Sequence, residues 1–293
     1  MKRESVCNTQ NYILRLSNNF VWKFSSNDEV LQPWLEKTAN IFGLEVEGCQ
    51  SCRDEGIIIE DSERLDAPVY GCQYHDMNTF NVSHDIENRH LLYTVKPFSN
   101  KNDEIVAMKN ALYPIYREII FYGGQLIHGA LIERNGQGVL LAGASGAGKS
   151  TSCRRLPDNW NVLSDDELLM LLNEEGHYQA YPLPTWSEYI EGKSEKTWNI
   201  HCSVPVCGVF FIEQSNIDAV IPLGKGTSAS GITESSYQAY LNYWTVVKDQ
   251  KQKVLQTHIF DNSCAMAQKI PAFQLQVSLH GRFWEEIERA LGW

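Results

Sequence analysis

Residues 139–151, VLLAGASGAGKST, decide how the rest of the chain is read. Val139, Leu140, Leu141 and Ala142 form an apolar run suited to a buried strand. The run stops at Gly143, and 143–150 fit G-x-x-x-x-G-K-[ST]: Gly143, Ala144, Ser145, Gly146, Ala147, Gly148, Lys149 and Ser150. Glycines adopt backbone angles that a Cβ forbids, so consecutive N–H groups can turn inward as a nest for phosphate oxygens. A helix starting near Lys149 would add its positive dipole end. In this reading 143–151, with Thr151 at its end, hold a nucleotide; Lys149 reaches the β and γ phosphates, and the Ser150 hydroxyl takes one corner of a Mg²⁺ shell. The competing reading is a glycine-rich strand-to-helix turn that binds nothing.

Upstream, Gln125 to Ile132 reads as a strand carrying His128, and Asn135-Gly136 reads as a hairpin turn into the loop's own strand. Downstream, a short helix runs from Ser150 until Pro157 ends it. Trp160 to Leu163 is the next strand, leading into Ser164-Asp165-Asp166-Glu167. Paired acids at a strand end after a phosphate loop suit Mg²⁺-assisted phosphoryl transfer: one carboxylate, with Asp165 the first choice, holds the metal with Ser150, and the other orients or deprotonates an attacking hydroxyl. Which Asp is the base stays open. The alternatives are a solvated acidic turn, or an Asp capping a helix over 167–172. His128 is either a packed core residue or an imidazole set near phosphate and the acids. Lys149, Arg154 and Arg155 supply local positive charge.

Four elements now stand in order: His128-Gly129-Ala130-Leu131-Ile132, Gly138-Val139-Leu140-Leu141, the loop at 143–150, and Ser164-Asp165-Asp166. In order and spacing they resemble the catalytic core of the HPr kinase/phosphorylase family. The resemblance covers about residues 125–170, more loosely to 190 and near the C-terminus. It implies the mixed sheet shared with ATP-type phosphoenolpyruvate carboxykinases, with the loop at its heart. It implies phosphorylation of a hydroxyl with ATP and Mg²⁺, with His128, Asp165 and Asp166 lining the reacting centre beside Lys149. The downstream signature that serves HPr binding in that family is replaced here by Tyr181-Pro-Leu-Pro-Thr-Trp-Ser187. That segment and an FW-containing C-terminal helix are more similar to the HPr-kinase-like proteins of peptide-modification cassettes, such as the SynChlorMet cassette protein ScmC.

The flanking sequence sets the domain plan. Residues 11–24 alternate as two strands turning at Asn18-Asn19. A helix follows from Ser26, capped by Asn27 or Asp28 and faced by Val30, Leu31, Trp34, Leu35, Ala39 and Phe42, until Gly43. Cys49-x-x-Cys52 and Cys72-x-x-His75 have the spacing of a structural zinc ribbon, though thiols are equally common as buried apolar groups. Further strands are expected over 56–60, 80–83 and 91–95. The pattern over 104–122 predicts a helix kinked at Pro114. Val206 to Ile212 reads as a central buried strand, and 223–228 as a flexible stretch in which Lys225 could meet an anion. Thr185 and Ser187 could line a pocket, and Lys193 and Lys196 could pair with phosphate; loop caps and a solvated loop are the plainer readings. Helices are expected over 230–244, 256–267 and 283–291, and a strand over 272–279. The fold class is α/β (α+β): a smaller α+β domain at 1–100 and a P-loop domain of the HPr kinase/phosphoenolpyruvate carboxykinase type, with a mixed sheet, at 101–293.

Composition agrees with such a plan. The chain has 293 residues, 43% hydrophobic and 21% charged, an ordinary globular balance. Its net charge of −11 argues against a nucleic-acid partner. No run of 18 apolar residues suggests a membrane span, and the N-terminus has no apolar signal core. Eight cysteines without an even frame suit reduced thiols in the cytoplasm. The expected protein is a cytoplasmic ATP- and Mg²⁺-dependent kinase acting on a hydroxyl of a peptide, protein or small molecule; a homo-oligomer is compatible with it. The alternative is a nucleotide-binding partner of a peptide-maturation complex that does no chemistry.

Overall fold

The structure is a computed structural model describing residues 10–17, 20–26, 28–47, 55–61, 73–76, 80–85, 90–95, 98–186, 189, 199–244 and 250–293. Of the described residues, those within 55–91 and 242–251 are described by their backbone alone. The chain divides into two compact units, Met1–Leu112 with Glu195–His201, and Tyr113–Ser194 with Cys202–Trp293.

In the first unit β1 (Tyr12–Leu16) and β2 (Phe20–Ser26) pair antiparallel, as their alternation predicts. The helix α1 (Gln32–Phe42) starts later than expected. Asp28 uses its carboxylate to accept from the Val30 amide at 2.8 Å, and its carbonyl takes the amides of Leu31 and Gln32. That turn consumes the residues read as the helix's first turn, and it leaves Val30 74% exposed. Gly43 ends α1 in the left-handed conformation. Then come β3 (Glu45–Val46), β4 (Glu55–Asp61), β5 (Gln73–Asp76), β6 (Phe80–Asp85) and β7 (His90–Val95). The seven strands lie in the order β3-β1-β2-β4-β7-β6-β5, with β2, β4 and β7 parallel. Cys49, Cys52 and Cys72 of the zinc expectation lie outside the described residues, and His75 is described only as backbone in β5. Helix α2 (Lys101–Asn110) follows, capped by the Asn100 side chain.

The single kinked helix expected over 104–122 is instead α2, α3 (Tyr113–Glu118) and a 3₁₀ turn (Ile119–Tyr122). Pro114 stands in the first turn of α3, where its missing N–H costs nothing, so it opens a helix rather than bending one.

The second unit is built on β8 (Gln125–Arg134) and β9 (Gln137–Ala142). They form a hairpin through Asn135 (φ 54°) and Gly136 (φ 77°), the pair of left-handed residues that a two-residue turn requires. After α4 (Lys149–Cys153) come β10 (Asn161–Ser164), β11 (Glu167–Leu172), β12 (Tyr178–Pro182), β13 (Val204–Gln214), β14 (Ala219–Pro222), α5 (Lys225–Trp244), α6 (Gln250–Lys269), β15 (Ala272–Val277) and α7 (Phe283–Leu291). Strands β9, β13 and β15 are parallel and neighbours; β8 lies antiparallel on the other side of β9. Strand β8 pairs with both β10 and β11, and β13 with β12, so β8, β11, β12, β13 and β9 close a ring of pairings. The result is a mixed α/β unit.

Alternation along the strands separates two cores. Leu131, Leu140, Ala142 and Val209 pack against Ala229 and Ile232 of α5 and Met266 and Ala267 of α6. Their sequence neighbours Ala130, Ile132, Val139, Leu141, Phe210 and Ile212 pack on the opposite face with Cys153 of α4 and with Phe283 and Ile287 of α7. Lys225 opens α5 and donates to the carbonyl of Gln268 at 3.2 Å, so the flexible stretch expected over 223–228 is helical from Lys225.

Gly129 marks how tightly β8 and β9 are held. A Cβ there would lie 2.8 Å from both the Leu141 carbonyl oxygen and Leu140 Cδ1. The first contact is with sheet backbone and cannot yield. Gly129→Ala is therefore expected to destabilise the protein by about 1–3 kcal/mol, read as a lowered urea midpoint with an unchanged slope.

Candidate functional site

Strand register brings the site together. Ala142, the last residue of β9, lies opposite Gly129. One step further along β8 is His128, opposite Glu167, the first residue of β11. Strand β10 pairs with the same edge of β8 through Leu131, so 165–166 form the turn between two strands on one edge. The turn is pinned by the Gly129 amide, which donates to the Asp166 carbonyl at 2.9 Å. The loop after β9, His128 and the two acids therefore end at one level of the sheet.

The loop itself is shaped by glycine. Gly143, Gly146 and Gly148 have φ of 148°, 80° and 107°. Gly143 passes close to β13: a Cβ there would lie 3.2 Å from the Ile212 carbonyl oxygen. At Gly146 and Gly148 an added Cβ would meet nothing within 4 Å, so the chain is uncrowded there. Gln214, at the end of β13, donates its amide to the Gly146 carbonyl at 3.0 Å and holds the turn from that side. Gly148 caps α4 without a side-chain bond, and its carbonyl accepts the Ser152 amide at 2.8 Å.

Lys149 is buried, and its ammonium donates back to the carbonyls of Gly143 at 2.7 Å and Ala144 at 3.2 Å. Burial lowers its pKa, and the carboxylates of Asp166 and Asp165 act in the opposite direction. Nδ1 of His128 stands 3.4 Å from Oδ1 of Asp166. Asp165 carries its negative charge close to the Cys153 thiol; burial, then this charge, push that thiol far up. Cys153 belongs to α4, so the helix that follows the loop also lies beside the acid. Ser150 is half-buried in the first turn of α4 and Thr151 is exposed beside it. Ala144, Ser145 and Gly146 are exposed along the turn.

His128, the turn at 143–151 and Asp165 and Asp166 thus lie on or beside this level of the sheet, whereas Arg155 is turned elsewhere. Its guanidinium donates to the carbonyls of Ser278 at 2.8 Å and Gly281 at 2.5 Å and lies over the Phe283 ring at 5.3 Å. It ties α4 to the segment before α7 instead of serving an anion. The helix considered over 167–172 is strand β11, and Asp166 caps nothing there. Thr185 is buried, while Ser187, Lys193 and Lys196 lie outside the described residues. Sequence reading missed Gln214 and the contact of Cys153 with Asp165. A glutamine at a strand end has no pattern, and Cys153 is visible only as the buried position one turn after Lys149.

Chemically, the donor set consists of hard oxygens and one ammonium. Among the described residues no three His, Cys, Asp or Glu side chains converge as a metal cage. One hydroxyl and one carboxylate suit Mg²⁺, which keeps waters and shares ligand oxygens with phosphates. The uncrowded, glycine-rich turn at 143–148 leaves room for a phosphate chain.

Fold and site define a mixed α/β protein whose parallel strand β9 ends in a glycine-lined turn facing paired acids. More particularly, the chain belongs to the family described as SynChlorMet cassette protein ScmC, which it matches over residues 91–292. No curated protein matches it. Among the described residues no helix is long and apolar enough to cross a membrane.

Proposed function

We propose that this protein is an ATP- and Mg²⁺-dependent kinase of the HPr kinase-like P-loop type, transferring the γ-phosphate to a hydroxyl of a peptide, protein or small molecule in the cytoplasm. The observation that carries this reading is the buried Lys149, folded over the glycine turn within the field of Asp165 and Asp166. A buried ammonium costs free energy unless it is paired; two backbone carbonyls and the field of the acids offset this only in part, and a terminal phosphate at the turn would complete the pairing.

In the reaction the acceptor oxygen bonds to the γ-phosphorus, the bond to the β,γ-bridging oxygen breaks, and ADP leaves. Backbone amides of 143–150 and the Lys149 ammonium hold the phosphates in line and offset charge that develops in transfer. Ser150 and Asp165 would hold Mg²⁺, whose charge neutralises the phosphate oxygens. Asp166 takes the acceptor proton or orients the hydroxyl, steadied by His128. An anionic nucleotide beside two carboxylates and a single Lys also needs the metal's charge to bind at all.

Purified protein incubated with γ-labelled ATP, Mg²⁺ and a panel of acceptors, including short peptides encoded beside its gene, is expected to label one of them. Bound ATP with no transfer to any acceptor would favour the non-catalytic partner of a maturation complex.

A further inference from the structure

The reading of 143–150 as a phosphate loop leaves the nucleoside end of the ligand unassigned, and strand order points to where it goes. The acids lie on the β8 side of β9. On the other side are β13 and then β15, both parallel to β9, with their C-terminal ends on the loop's side of the sheet. A triphosphate with its terminal phosphorus toward Asp165 and Asp166 that runs across the sheet away from the acids carries its ribose and base over β13 and β15. Ligands of parallel α/β sheets sit at the carboxyl ends of strands, and β15, which extends from the ring of pairings, is two strand spacings, about 10 Å, from β9.

A rigid ledge stands there. The Ser215 amide donates to the Val277 carbonyl at 3.0 Å, and the Ser278 amide to Oδ1 of Asp218 at 2.6 Å. The Gly281 amide donates to the Ser278 hydroxyl at 3.0 Å, and a Cβ on Gly281 would collide with the Asp218 carboxylate. Arg155, coming from α4, locks the carbonyls of Ser278 and Gly281 from the loop's side. From this hydrogen-bonded frame two large aliphatic side chains face solvent, Ile217 at 62% exposure and Leu279 at 70%. Single exposed aliphatics are ordinary; these two flank one hydrogen bond, Ser278 to Asp218, on a ledge contiguous with the loop.

We infer that the turns 215–218 and 278–282 form the nucleoside shelf of this site, with Ile217 and Leu279 taking the flat face of a purine base. The shelf rests on the nucleotide reading above. It assigns selectivity to a segment outside the loop and away from the acids, and it gives Arg155 a positioning role, holding the shelf at a fixed distance from the loop.

The test compares binding of ATP and of inorganic tripolyphosphate, each with Mg²⁺, to the full chain and to Ile217→Ser, Leu279→Ser and the double variant. Both residues are exposed, so the substitutions leave the core intact. The parent should hold ATP more tightly than tripolyphosphate. The double variant should lose about tenfold in ATP affinity, with tripolyphosphate binding unchanged. Unchanged ATP affinity in the double variant would overturn the shelf, as would equal weakening of both ligands, which would put these residues on the phosphate path. A parent that binds ATP no better than tripolyphosphate would also overturn the shelf while leaving the loop standing. A parent that binds neither would remove the phosphate-loop reading itself.

Discussion

Replacing Lys149 by Ala is expected to lower phosphoryl transfer at least 10²–10³-fold, roughly the loss seen when one preorganised donor to developing charge is removed. The fold should survive. Among the described residues the ammonium donates to the carbonyls of Gly143 and Ala144, both in the turn rather than in the sheet. Burial depresses the Lys149 pKa, so the folded state holds its proton less tightly than the unfolded chain does. In the interval between that depressed value and the ordinary one, stability therefore rises with pH. Below the interval the buried charge is a net cost. Lys149→Ala removes that cost and should flatten this part of the stability profile while activity is lost. Thermal unfolding measured at several pH values, beside γ-phosphate transfer, checks both halves. Transfer at the parental rate would end the assignment of Lys149.

What was legible in the sequence follows from what each signal encodes. The β8–β9 hairpin was legible because Asn135-Gly136 is a chemical requirement of the turn, and the loop because glycines at 143, 146 and 148 are needed at positive φ. Strand β13 was legible as an apolar run because both its faces are covered. The strand β11 was harder. Its residues ELLMLL have the apolar density of a buried helix, and only pairing with β8 and β12 decides for strand. Strand β14 is four residues, half exposed, and carried no pattern. The start of α1 was misplaced because Asp28 uses both its oxygen groups to build a turn before the helix rather than its cap.

The site was legible as residue types but not as geometry. Spacing brought out His128, Asp165 and Asp166, yet nothing in it says that β10 and β11 share one edge of β8. That sharing forces the acids into a turn beside His128. Nor does spacing distinguish Arg155 from a phosphate ligand, because its partners are backbone carbonyls more than a hundred positions away.

Those two acids make the last prediction, since they separate a kinase from a binder. Their surroundings differ. Asp165 acts electrostatically on the Cys153 thiol of the helix that carries Ser150, which suits the metal-holding role proposed for it. Asp166 stands 3.4 Å from His128 on the strand side, which suits a proton acceptor. Asp165→Asn should weaken Mg²⁺-dependent ATP binding and transfer together, and raised Mg²⁺ should restore part of both. Asp166→Asn should leave ATP binding near parental and lower transfer by about 10²–10⁴-fold, the range of a general base. The amide keeps the shape of the carboxylate but cannot take a proton. Equilibrium ATP titrations at two Mg²⁺ concentrations, with single-turnover transfer, read the two variants apart. If both retain every activity of the parent, the carboxylates do no chemistry, and ATP is a bound ligand rather than a phosphate donor.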